Sequence, residues 1–413
     1  MTPLAALLWA NLPFDDAGRD KRRCRIWAAG LAGALTGICC YGYPAVRVFL
    51  PVFLTTAVLV TWRGWWDRLR TRNGALAIGA LAVAVSVTFG PLAWQHLTDT
   101  NHTGISKRSV ATWVWRPDDP VGAKIGAALA RYPGHFGPDF LFINGDHYNI
   151  QSVPGFGQFH WYMAPLMVLG LIVVLRRAVV SRAARVLLIW LPLYPVSDCL
   201  TQHISAQHVS MHALRASPGM CVLILLAAVG LVDAAAWFWR RQRGPALAAG
   251  ALAAVVAVAL NVRFLHYFFG DYNRLEETYY LGWHVDLLEA CEWLRPRLDD
   301  VDAVFCTTQG MNLPHIVALV GLSYDPHEWF RGPRDVRTIG QWDRYVRYGK
   351  MTFMYGGPLA RLCSQRLNEL KTNGRADRVL FIVRPGKTPS QRLLHQVTGL
   401  GGLVSLCIYE ATI

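Results

Sequence analysis

Long apolar stretches separated by short basic segments fill the first 265 residues of the chain. Seven of them approach the length of about 20 residues that a helix needs to cross the hydrocarbon core of a bilayer. They lie at 26–42, 45–62, 74–95, 160–175, 186–201, 218–239 and 245–265. The pattern therefore predicts a polytopic α-helical membrane domain with about seven transmembrane helices.

From residue 266 onward the apolar runs become shorter and alternate with charged residues, Gly and Pro. Their spacing predicts helices at 283–298, 313–322, 358–372 and 391–397, and strands at 303–308, 351–355, 378–383 and 403–410. This alternation is typical of a small α/β domain with a partly parallel sheet. We expect an N-terminal segment (1–25), a transmembrane domain (26–265) with a long loop at 96–159, and an α/β domain (266–413).

Composition agrees with a membrane protein. Of the 413 residues, 53% are hydrophobic and 16% are charged, which excludes a disordered or fibrous chain. The net charge of +14 lies almost wholly in residues 1–265, which hold 24 Lys and Arg against 11 Asp and no Glu. Because the positive charge belongs to the apolar part of the chain, a nucleic-acid partner is not expected.

The basic residues also predict an orientation. Sixteen lie in the short segments on one side of the predicted spans, and three, Arg47, Arg215 and Arg263, lie on the other. The positive-inside rule then places the N-terminus in the cytoplasm and, after seven spans, the α/β domain outside a bacterial inner membrane. The sixteen are Arg19, Lys21, Arg22, Arg23, Arg25, Arg63, Arg68, Arg70, Arg72, Arg176, Arg177, Arg182, Arg185, Arg240, Arg241 and Arg243.

Candidate functional residues gather near the predicted outer face. Arg47 follows the Tyr41-Gly42-Tyr43 turn, and His212 and Arg215 lie three residues apart before the sixth span. An Arg beside a His suits a phosphate, because the guanidinium binds two oxygens and keeps its charge. Alternatively, Arg47 and Arg215 extend toward lipid headgroups.

The loop at 96–159 is long, aromatic and rich in Gly and Pro, which favours an ordered cap on the membrane surface. Its acidic and imidazole side chains, Asp139, Asp146 and His147, are candidates for contact with a substrate. The alternative is a structural lid that contributes no chemistry.

No cofactor is predicted. His208 and His212 have a spacing that suits a metal, but no acidic third ligand follows, so a divalent metal is possible without support. Cys291, Cys306, Cys363 and Cys407 lie in the predicted exported domain and could pair in combinations that the sequence does not decide.

Four segments in order carry a resemblance to a known family: Gly30–Arg47, Asp139–Asp146, His212–Pro218 and Gly230-Leu231. With Phe381–Gly386 and Cys407–Glu410 near the end, they resemble the dolichyl-phosphate-mannose–protein mannosyltransferase-like group. This group is glycosyltransferase family 39 of the C-type glycosyltransferase superfamily. The resemblance covers most of the chain from about residue 20.

The resemblance implies transfer of a sugar from a polyprenyl-phosphate donor to an acceptor glycan, lipid or protein on the outer face of the membrane. It implies that Arg215, His212 and Arg47 bind the donor phosphate. We further expect Tyr43, Asp139, Asp146 and His147 to form a substrate cap. No metal or other cofactor is expected.

The catalytic base stays unassigned. Family members carry it as a carboxylate in a first external loop that this chain lacks, so the chain resembles an N-terminally truncated member with Asp146 as a rival base. A non-catalytic membrane module that binds lipid phosphate or glycan as a partner subunit is the alternative function.

Overall fold

The structure is a computed structural model, and its contacts divide the chain into two compact units, Met1–Phe264 and Leu265–Ile413. The sequence places the corresponding boundary between residues 265 and 266. The structure describes residues 19–98, 120–146, 152–200, 211–275, 282–332, 334–339, 342–355, 364–365, 368–372, 374, 378–386, 391–399 and 402–412.

Helices dominate the described part of the first unit. They are α1 (Arg19–Cys39), α2 (Pro44–Val60), α3 (Trp62–Leu69), α4 (Arg72–Thr98), α5 (Val121–Arg131), α6 (Met163–Arg177), α7 (Arg182–Leu193), α8 (Val196–Cys199), α9 (Ala213–Arg241) and α10 (Arg243–Phe269). A 3₁₀ turn (Tyr132–Phe136) and a π turn (Asp139–Ile143) follow α5.

Three segments among the described residues are long and apolar enough to cross a membrane: Arg72–Gln95, Ala213–Arg241 and Arg243–Arg274. Helices α2 and α3, bent by 77°, would make a fourth if the pair is one span. A helical region with three candidate membrane spans is therefore confirmed by length and composition, whereas seven spans are not.

The predicted spans at 160–175 and 186–201 differ most from the structure. Helix α6 has 15 residues and α7 has 12, which correspond to about 22 and 18 Å against a hydrocarbon core of about 30 Å. Pro192 lies in the last turn of α7 and Pro195 directly precedes α8. Since proline removes a backbone donor and clashes with the preceding turn, it accounts for the break in the predicted helix 186–201.

Glycines allow the long helices to approach each other closely. A Cβ on Gly170 of α6 would collide with the carbonyl oxygen of Leu226 in α9, and one on Gly230 would collide with that of Leu166. Gly37 packs α1 against Thr88 of α4 in the same way. Such small-residue contacts are typical of helix pairs in membranes, where close van der Waals packing drives association.

The second unit is an α/β domain built on a seven-stranded sheet with the order β2-β3-β4-β1-β5-β7-β6. The central strand β1 is parallel to both of its neighbours, and the outer strands are antiparallel. The strands are β1 (Ala303–Thr307), β2 (Arg334–Ile339), β3 (Trp342–Tyr348), β4 (Met351–Met354), β5 (Arg378–Val383), β6 (Arg392–Thr398) and β7 (Val404–Thr412).

Alternating side chains give this sheet two buried faces. Val304 and Cys306 pack on the face covered by α11 (Val285–Leu294) and α12 (Pro314–Gly321), whereas Phe305 packs on the opposite face. The period of two follows from strand geometry, in which successive side chains point to opposite sides. The partly parallel α/β sheet expected from the sequence is therefore present.

Three details of this unit differ from the expectation. The helix predicted at 391–397 is wrong, because residues 392–398 form β6, which pairs antiparallel with β7. The hairpin of β2 and β3 and the short helix α13 (Pro326–Arg331) were not predicted. The predicted helix 358–372 lies largely outside the described residues, and 368–372 are helical.

The described cysteines of this unit, Cys291, Cys306 and Cys407, are buried and free, so no disulfide joins them. Burial raises the pKa of the Cys291 thiol to about 12. Cys363 lies outside the described residues.

Candidate functional site

Two carboxylates from distant segments meet at the start of α9. The backbone N–H of His212 donates to Asp198 Oδ2 at 2.8 Å, and that of Ala213 donates to Asp146 Oδ2 at 2.9 Å. The first N–H groups of a helix lack partners within it and carry a partial positive charge, which anions stabilise. Asp146 and Asp198 therefore act as caps for this helix.

Asp198 also pairs with a buried histidine. His135 Nε2 lies 2.9 Å from Asp198 Oδ2, and His135 Nδ1 lies 3.1 Å from the carbonyl oxygen of Arg131. Both side chains are almost fully buried. Each ring nitrogen of His135 therefore has one hydrogen-bond partner, the Asp198 carboxylate on one side and the Arg131 carbonyl on the other.

Aromatic rings enclose the His135 side chain. Phe140 and Tyr194 contact it edge-on, with ring centroids 5.5 and 6.0 Å away, and the Tyr194 hydroxyl donates to the His135 carbonyl oxygen. The His135–Asp198 pair is therefore held in one position by packing as well as by hydrogen bonds.

Arg215 is the permanent cation of this cluster. It lies in the first turn of α9 with 6% of its surface exposed, and Ser197 Oγ donates to its carbonyl oxygen at 2.6 Å. Its guanidinium hydrogen-bonds to the phenol of Tyr43. Burial raises the pKa of that phenol, and Arg215 acts in the opposite direction.

Four residues selected from the sequence, Tyr43, Asp146, His212 and Arg215, thus lie in one cluster with Asp198. His212 Nδ1 is 3.9 Å from Asp146 Oδ2. We define these five residues together with His135 as the α9 cluster. All of them except Tyr43 are buried.

Two other selected residues have structural partners elsewhere. Arg47 Nε donates to the Cys40 carbonyl at 2.9 Å and so closes the hairpin between α1 and α2. Asp139 begins the π turn, and its carbonyl oxygen accepts from the N–H groups of Asn144 and Gly145. His147 lies outside the described residues.

Sequence reasoning missed the role of His135 and the pairing of Asp198. An acidic residue at the end of an apolar stretch is a recognisable signal, and it marks Asp198. No comparable signal marks His135, because its partner lies 63 residues away along the chain.

A second buried polar cluster lies in the C-terminal unit. Asp286 Oδ2 accepts from Ser405 Oγ at 2.6 Å and from Arg384 Nη1, which also donates to Ser405 Oγ at 2.8 Å. Asp286 is fully buried in the first turn of α11. These contacts join α11 to β7 and the end of β5, and we assign them to the fold.

Metal binding finds no support in the described residues, among which no group of three or more His, Cys, Asp or Glu could hold a metal ion. His203 and His208 lie outside them.

No protein-family model matches the sequence, and no curated protein is similar enough to match it. The chemistry of the α9 cluster therefore carries the functional argument. The cluster offers a buried guanidinium beside the hydroxyl of a partly exposed tyrosine, and two carboxylates that are engaged as helix caps.

Proposed function

We propose that this protein is a C-type membrane glycosyltransferase that transfers a sugar from a polyprenyl-phosphate donor to an acceptor at the outer face of the membrane. The observation that carries the proposal is the convergence of Tyr43, Asp146, His212 and Arg215 in one cluster. Three separate parts of the chain supply these four residues.

The chemistry of the leaving group favours this cluster. When the glycosidic bond breaks, negative charge develops on the lipid phosphate, and fixed donors near that charge lower the barrier. Arg215 supplies a permanent charge in a fork geometry that matches two phosphate oxygens. Tyr43 is the partly exposed member of the α9 cluster. We therefore propose that the phosphate reaches Arg215 from the side on which Tyr43 lies.

The distribution of basic residues supports the orientation within this proposal. Helix α9 runs from the cluster at His212 to Arg240 and Arg241 in its last turn, about 43 Å at ~1.5 Å per residue. Near that end of α9, Arg240 and Arg177 of α6 both line one surface groove. We propose that this basic end faces the cytoplasm and that the α9 cluster faces outward.

The test is the release of sugar from radiolabelled polyprenyl-phosphate hexoses by the purified protein. We expect turnover by the wild type and a large loss in Arg215→Ala. Arg263→Ala is the matched control, because Arg263 is an exposed arginine that stacks on Phe156 at 5.9 Å and lies outside the cluster. An equal loss in both variants, or no turnover by any form with a panel of sugars, would reject the proposal.

One observation favours the alternative of a non-catalytic module that binds lipid phosphate. The Asp146 side chain has no exposed surface and caps α9, whereas a general base must reach the acceptor hydroxyl. Asp146→Asn separates the two functions, because an amide oxygen can still cap the helix but cannot take a proton.

If Asp146 is the base, Asp146→Asn should lower turnover by about 10²- to 10⁴-fold without changing donor binding. If Asp146 only caps the helix, turnover should change little. Donor binding without turnover in the wild type would favour the non-catalytic module.

A further inference from the structure

A groove of about 560 Å³ lies between the C-terminal part of α2, helix α3 and helix α7. Because α2 begins beside Tyr43 and ends at Val60, the lining residues from Phe53 to Val60 lie about 15 to 25 Å along the helix axis from Tyr43 of the α9 cluster. The described residues that line it are Phe53, Leu54, Ala57, Val60, Thr61, Trp62, Arg63, Gly64, Trp65, Arg68, Arg182, Arg185 and Val186.

The lining combines an apolar floor with a positively charged rim. Phe53, Leu54, Ala57 and Val60 form the floor on one helix, and four arginines contribute to the rim. None of the described lining residues is acidic. The groove therefore matches a ligand with a negative head and an apolar chain.

Two of these arginines lie close enough to repel each other. Arg68 is half-buried, and burial together with the nearby charge of Arg182 lowers its pKa to about 10. A bound anion between two such cations would reduce their mutual repulsion. Arg185 is anchored differently, because its guanidinium donates to the carbonyl oxygens of Ala178 and Val179.

Helix α3 has the features of a segment that lies in a membrane interface. It turns by 77° from α2, so it runs across the end of that helix rather than continuing it. Trp62 and Trp66 are more than half exposed, and arginines stack on the tryptophan rings. Tryptophan and arginine are the residues that anchor a chain at the headgroup level.

We infer that this groove binds one anionic phospholipid, with its headgroup phosphate between Arg68 and Arg182 and an acyl chain along the floor formed by α2. The apolar floor selects a lipid over a soluble phosphate, and the four guanidinium groups select an anionic headgroup over a zwitterionic one. This site is separate from the α9 cluster, so it stands whether or not the protein transfers sugar.

The inference is tested by titrating the purified full-length protein in detergent with fluorescent phosphatidylglycerol and, separately, fluorescent phosphatidylcholine. We expect tighter binding of phosphatidylglycerol and a loss of at least about tenfold in Arg68→Gln/Arg182→Gln, which removes two charged contacts. Arg70→Gln/Arg176→Gln is the matched control. It removes the same charge at two exposed arginines that do not line the groove, and it should bind within twofold of the wild type.

A second variant, Ala57→Trp, places a bulky ring on the floor while leaving all four arginines, and it should block lipid binding. An excess of glycerol phosphate should compete weakly, because it lacks the acyl chain. Equal binding of the two lipids, unchanged binding in folded Arg68→Gln/Arg182→Gln, or full displacement by glycerol phosphate would overturn the inference.

Discussion

At the scale of single residues, two buried carboxylates stabilise the start of α9. Asp146 and Asp198 each accept a hydrogen bond from one of two consecutive backbone N–H groups, and a hydrogen bond to a charged group typically contributes about 1.5–3 kcal/mol. Asp198 further holds His135. Arg215, in the first turn of the helix, thereby lies beside Tyr43 as the cation of the cluster.

A buried histidine in the second unit makes stability depend on pH. His315 is packed between the rings of Trp329, Tyr345 and Phe353, and its Nδ1 has no hydrogen-bond partner among the described residues. Burial and the nearby charge of Arg344 lower its pKa from 6.5 to about 4.

The unfolded chain therefore takes up a proton at His315 below pH 6.5, whereas the folded domain does so only near pH 4. The free energy of unfolding is unaffected by this group above pH 6.5 and should fall by about 3 kcal/mol between pH 6.5 and 4. Hydrogen exchange of β4 amides in the full-length protein, corrected for intrinsic rates, measures this change. His315→Asn should flatten the profile, and an unchanged slope in that variant would contradict the assignment.

At the scale of elements, close helix contacts carry the packing of the first unit. Gly170→Val should destabilise the protein by about 1–3 kcal/mol or more, because the new side chain meets the backbone of α9. Gly250→Val is the control, since a Cβ at Gly250 in α10 meets nothing within 4 Å and both variants carry the same β-branched residue.

Thermal unfolding of the two variants in detergent measures the difference. A similar loss of stability in both would show that a general effect of the added side chain, rather than the contact between α6 and α9, sets the change.

The strands of the second unit show which elements the local sequence pattern predicts and which depend on distant contacts. Strands β1, β4, β5 and β7 were predicted close to their observed positions, because each is a short run of apolar residues that packs on a helix or on another strand. Residues 392–398 have spacing that also suits a helix, and only their pairing with β7, a contact outside the local sequence, makes them a strand. The strands β2 and β3 mix charged and apolar residues without regular alternation, so they lack the continuous apolar run of a buried strand.

At the scale of the whole molecule, the sequence predicts a helical part followed by an α/β part, and both are present. About seven spans were predicted from apolar stretches and the basic segments between them, whereas α6 and α7 are too short to cross a bilayer unaided. Four residues of the candidate site were selected from the sequence: Tyr43, His212 and Arg215 near the ends of apolar stretches, and Asp146 in the loop at 96–159. The pairing of Asp198 with His135 was not predictable, because that contact depends on how distant segments of the chain pack.

The central claim is that Arg215 binds a lipid phosphate, and its most direct test is polyprenyl-phosphate binding by four purified, folded proteins: wild type, Arg215→Lys, Arg215→Ala and Arg263→Ala. The account predicts that Arg215→Ala loses about 1.5–3 kcal/mol of binding free energy, roughly 10- to 150-fold in Kd. Arg215→Lys should bind with intermediate affinity, because lysine keeps the charge but loses the fork, and Arg263→Ala should match the wild type. Equal affinity of wild type and Arg215→Ala would contradict the claim.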